Sequence, residues 1–132
     1  QKHVKKSEYN YGVVQALERL KNYDWAFNVG FYAIYHCFLA ILAKHGYESR
    51  NQACTITVLH TLIKDKKLDL DKDLIIQFDT LDVEKNITNP TVRERRELFT
   101  YGVETSIDLQ QLKKIKELIL KVQRETIRIL GE

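Results

Sequence analysis

Between Trp25 and Ala43 the chain runs for nineteen residues, WAFNVGFYAIYHCFLAILA, without a formally charged side chain. On a helix drawn through this stretch, Phe27, Phe31, Ile34, Phe38 and Ile41 share one side, and Val29, Tyr32, Ala33, His36, Leu39, Ala40 and Ala43 share the other. Such a helix is apolar nearly all round and belongs at the centre of a fold. Lys44 and His45 suit the negative end of its dipole, Gly46 supplies a left-handed residue to end it, and Asp24 is the expected N-cap. The length also approaches that of a membrane span. Asn28, Tyr32, Tyr35 and His36 would then lie at hydrocarbon depth, each needing a partner, and the remaining segments are half polar. The pattern therefore favours the central helix of a soluble bundle and no membrane.

The flanking segments are amphipathic. After a basic start (Lys2, His3, Lys5, Lys6) that is expected to fray, Ser7 to Lys21 reads as a helix with Val13, Val14, Leu17 and Leu20 on its buried face and Glu18 outside. Tyr9, Tyr11 and Tyr23 are read as packing aromatics rather than stacking platforms. Beyond Gly46, Ser49 and Gln52 fit a capping box that opens a helix over Ala53 to Lys64, with Ile56, Leu59 and Ile63 inward and Cys54, Val58 and Leu62 beside them. A shorter acidic helix follows over Leu70 to Leu81, burying Leu74, Ile75, Phe78 and Leu81. Asn89-Pro90 restarts the chain into Thr91 to Tyr101. Asp108 with Gln111 then caps a long final helix whose seam is Leu109, Leu112, Ile115, Ile119, Val122 and Ile129, with its lysines and arginines largely outside. The expected fold is all-α: one domain over residues 1–132, an antiparallel up-and-down bundle of four long helices plus one or two short ones.

Composition supports this more than it extends it. One proline, five glycines and no sustained alternation of β-branched residues argue against a sheet. Cys37 and Cys54 both fall in apolar helical stretches, where thiols behave as small buried hydrophobes, so a reducing cytoplasmic setting is expected. The net charge of +3 is unevenly spread. Residues 1–64 carry eight basic and four acidic side chains, residues 65–84 three and seven, and residues 85–132 ten and seven. An excess this small does not by itself assign a polyanionic partner.

Metal and phosphate-loop templates fail. The four histidines are scattered, no paired cysteines or His-Glu-x-x-His spacing occurs, and there is no glycine-rich loop, so neither a metal nor another cofactor is expected. Two groupings carry possible chemistry. The first is Tyr32, Tyr35 and His36 on the central helix, where His36 is read as a hydrogen-bonded histidine within a helix interface. The second is Arg93, Arg95 and Arg96, ending at Tyr101, which suits either a helix face paired with its own glutamates or an anion site.

The order DWAFNVGFYAIYHCFLAILAKHGYESRNQACTI, then RERRELFTYG, then a long last helix, resembles the HEPN domains of archaea and bacteria from about Val13 to Leu130. It rests on the Tyr-Ala-x-Tyr-His stretch, the Gly-x-x-Ser-Arg-Asn turn and the arginine-rich stretch with its Tyr-Gly. The resemblance implies an antiparallel helical bundle, usually a homodimer, acting in RNA cleavage or nucleotide binding. It commonly forms one half of a toxin–antitoxin pair with a minimal nucleotidyltransferase. Within it, Arg93, Arg96, Arg50, Asn51, Tyr32 and Tyr35 are the residues expected to meet an anionic ligand. Active HEPN ribonucleases carry an arginine, four to six spacers and then a histidine, and no histidine of this chain stands at that distance after an arginine. Arg96 with Tyr101 has the spacing, but a tyrosine with a pKa of about 10 is a poor proton shuttle at neutral pH. A non-catalytic, dimeric nucleotide- or RNA-binding module is therefore the first expectation. A metal-independent endoribonuclease using Arg96 with Tyr101 or His36 is the second, and a purely structural dimerisation subunit the third.

Overall fold

The computed structural model describes residues 2–81 and 109–131, and among these it is all-helical. The described residues form five helices: α1 (Lys2–Arg19), α2 (Tyr23–Lys44), α3 (Gln52–Lys64), α4 (Lys72–Thr80) and α5 (Leu109–Leu130). The segment expected to form a helix over Thr91 to Tyr101, its Asn89-Pro90 start and the Asp108 cap lie outside the described residues.

α2 is the hub. It packs along α1 and α5 and also touches α3, while α4 bridges α3 and α5. Phe27, Phe31, Ile34, Phe38 and Ile41, the stripe expected on one side, are all buried. Phe78 of α4 seats against them, stacked on Phe31 with ring centroids 4.5 Å apart and edge-on to Phe38 at 5.1 Å. Tyr35 lies nearly parallel to the same ring at 6.5 Å. The other stripe is mixed, because Ala33 and Ala40 are buried whereas Tyr32 and Ala43 are exposed, so α2 is less apolar all round than its sequence suggests. Among the described residues it is the one helix long and apolar enough to cross a membrane, and most of it is buried by the rest of the chain.

α5 comes close to α2 at Gly30, where an added Cβ would stand 3.2 Å from the Cδ1 atoms of both Ile115 and Ile119. The absent side chain is what lets these two isoleucines press onto the α2 backbone. Leu112, Ile115, Ile119, Val122 and Ile129 form the buried seam as expected, joined by Leu118, Gln123 and Thr126. Leu109 departs from the expected seam: at the first helical residue it stays exposed.

Several helix boundaries differ from expectation. α1 does not fray over its basic start but begins at Lys2, anchored by buried Val4 and Ser7. Leu20, expected on the buried face, is 75% exposed because it falls beyond the last helical residue, where the chain turns through Lys21 at φ +60°. Tyr9, expected to pack, is also exposed, and the Lys6 ammonium sits 5.2 Å from its ring centroid. At the start of α2 the N-cap position falls to Asn22, with Asp24 in the first turn, where a carboxylate still favours the helix dipole. Asn51, not Ser49, caps α3, its side chain accepting from the Cys54 amide at 2.7 Å. Cys54, expected to be buried, is exposed because the first turn of α3 faces outward there.

Three helices end in the same motif. At the end of α2 the Tyr47 amide donates to the Leu42 carbonyl at 2.9 Å and the Gly46 amide to Ala43 at 3.1 Å, with Gly46 at φ +82° as expected. α1 closes identically through Lys21 and α3 through Lys66, both at φ +60°. There the closing bonds are Asn22 to Leu17 at 2.8 Å and Lys67 to Leu62 at 2.9 Å.

Candidate functional site

Two polar clusters form on opposite flanks of α2. The first joins two of the three stretches that carry the family resemblance. The Tyr35 hydroxyl lies 3.4 Å from Thr55 Oγ1. Thr55 donates to Ser49 Oγ at 2.7 Å and to the Asn51 carbonyl at 3.0 Å. Ser49 in turn donates to the Asn51 carbonyl at 2.8 Å. The turn from Ser49 to Asn51 is thus tied to the middle of α2 through one buried threonine, and Arg50 projects from that turn into solvent. The Asn51 side chain is engaged in capping α3. Thr55 carried no signal in the sequence, since an isolated threonine in a helical pattern reads as surface.

Of the residues expected to meet a ligand, Tyr35 and Asn51 are therefore brought together, with Arg50 beside them. Tyr32 stands one turn earlier on α2, partly exposed and edge-on to Phe31 at 5.7 Å. Arg93, Arg95, Arg96 and Tyr101 lie outside the described residues.

The second cluster lies between α1, α2 and α5. The Cys37 thiol donates to Ser7 Oγ at 3.2 Å, and Gln123 Nε2 donates to the same oxygen at 3.0 Å. Thr126 donates to the Val122 carbonyl at 2.7 Å. Burial pushes the Cys37 thiol above its ordinary range, against the opposite pull of its hydrogen bonds with Ser7 and Thr126, while Glu8 adds to the rise. A thiol held protonated in this way is a structural donor rather than a nucleophile. Next to Cys37 in the chain, His36 does form an interface contact as expected, but with a partner the sequence did not suggest: its Nδ1 is 3.2 Å from Nδ1 of His3. Burial lowers the His36 pKa, and the nearby charges of His3 and Lys6 lower it further.

No group of three or more histidine, cysteine, aspartate or glutamate side chains converges among the described residues. Compared with protein-family models, curated proteins and solved structures, the chain matches none.

Proposed function

We propose that the chain is a non-catalytic HEPN-type module, an antiparallel up-and-down bundle that pairs as a homodimer and binds a nucleotide or RNA. In this reading it acts as the partner of a minimal nucleotidyltransferase in a toxin–antitoxin-like unit. The observation that carries the reading is the joining of Tyr35 to the Ser49–Asn51 turn through Thr55. Two stretches that make the sequence HEPN-like thereby become one surface, with the Arg50 guanidinium at its edge. Support for the bundle comes from the contacts themselves. Ser7 meets Gln123 while Glu18 meets Lys116, so α1 runs opposite to α5.

Arg93 and Arg96 are assigned as the phosphate contacts, with Arg50 supporting them. Labelled single-stranded RNA and a nucleotide titrated against the purified protein test the assignment. Each arginine that meets a phosphate is expected to contribute a salt-sensitive share of affinity, so Arg93→Ala and Arg96→Ala should weaken binding and flatten its dependence on salt. Equal affinity for wild type and both variants would remove the assigned site.

A further inference from the structure

Where the first turn of α1 crosses α2, two groups capable of positive charge meet, with Lys6 one turn further along α1, and among the described residues no carboxylate pairs with them. His3 and His36 present their Nδ1 atoms to each other at 3.2 Å, with the rings stacked at 26° and 5.4 Å between centroids. A contact of this length needs one nitrogen to donate and the other to accept, so it is compatible with a proton on one Nδ1 and repulsive with a proton on both. Lys6 is close enough to act on His36, and Lys2 and Lys5 are exposed on the same two turns of α1.

Among the described residues, the surroundings do not balance this charge. α2 has no charged residue between Asp24 and Lys44, and Lys44 reaches over to the Ile129 carbonyl. On α5, Gln123 and Thr126 are neutral, while Glu125 and Arg128 pair with each other at 2.9 Å. Glu8 of α1 is exposed, and its charge bears on Cys37. Among the described residues, no salt bridge involves Lys2, Lys5 or Lys6. Both rings are only half-buried, so the corner is open to solvent.

We propose that His3, His36 and Lys6 form a binding site for a phosphate monoester, the dianionic group carried by a nucleotide or by the 5′ end of an RNA. The dianion supplies the countercharge that the described residues around the two rings do not. Binding is therefore linked to proton uptake: with phosphate present both rings can be protonated and turn N–H groups toward it, and without it one proton is excluded. The site goes beyond the arginine assignment and does not depend on it.

Histidine ring resonances followed by NMR through a pH titration test the site, first in inorganic phosphate and then in chloride at matched ionic strength. A ligand that prefers the protonated pair tenfold shifts the titration midpoint upward by about one pH unit at saturation. An upward shift at His3 and His36, absent at His60 and reduced in Lys6→Gln, is the expected result. Coincident curves in phosphate and chloride would overturn the site. A nucleoside monophosphate compared with RNA oligomers bearing a 5′-phosphate or a 5′-hydroxyl identifies the source. A shift with the nucleotide or the 5′-phosphorylated RNA supports the proposal, and equal shifts from the two RNAs contradict it. Because Lys6→Gln leaves Arg93 and Arg96 untouched, loss of the phosphate response with RNA affinity retained, or the converse, separates this site from the arginine one.

Discussion

The two flanks of α2 are built on different principles. Toward α4 the contact is carbon on carbon, with Phe78 stacked on Phe31 at 4.5 Å and edge-on to Phe38 at 5.1 Å. Toward α1 and α5 the interior includes Ser7, Thr126 and Gln123, and one serine oxygen accepts from both a thiol and an amide. Apolar packing rewards filled volume and tolerates many ways of filling it. A buried hydrogen bond adds little net stability but penalises every alignment that leaves a partner unpaired. The rings around Phe78 thus stabilise by filling volume, and the Ser7 hydrogen bonds fix how α1 and α5 sit against α2.

The sharpest test of that division is truncation on the apolar flank. Phe38→Ala removes a fully buried ring from against Phe78 and should cost about 3–5 kcal/mol in urea unfolding. Ser7→Ala deletes very little volume yet leaves the Gln123 amide and the Cys37 thiol without their acceptor, and should cost about 1–3 kcal/mol. Adding Gln123→Leu to Ser7→Ala should then cost less than the sum of the single changes, because the stranded amide goes with it. Strict additivity would mean that the serine acts only through packing. A Ser7→Ala loss as large as that of Phe38→Ala would erase the distinction between the flanks.

The same difference explains what the sequence revealed. Leu74, Ile75 and Phe78 in α4, the Leu112 to Ile129 seam and the Phe27 to Ile41 stripe are buried as their spacing requires. Periodicity detects carbon, and these positions are carbon. The Ser7 flank went unread because Ser7, Asn10, Gln123 and Thr126 look like surface positions until their partners, up to 116 residues away, are known. His3 and His36 failed to announce each other for that reason, and so did Tyr35 and Thr55. Leu20 erred in the opposite direction: it has the right spacing, but lies one residue past the end of its helix.

The smallest predicted effect concerns how the chain enters the apolar flank. α3 ends through Lys66 at φ +60°, and the chain then buries Leu68 and Leu70 before α4 delivers Phe78. A lysine in the left-handed region is strained by its Cβ, whereas Gly46 carries the same closing bonds at the end of α2 without that cost. The turn at Lys66 is thus held by the leucines beyond it rather than by its own preference. Lys66→Gly should raise stability by about 0.5–1 kcal/mol, less than the strain itself because glycine also loosens the unfolded chain. That corresponds to roughly 2–5 °C in thermal unfolding. Gly46→Lys should lower stability by a similar amount. If Lys66→Gly instead destabilised the protein, the lysine side chain would be holding the turn, and placement of Phe78 would depend on a polar contact after all.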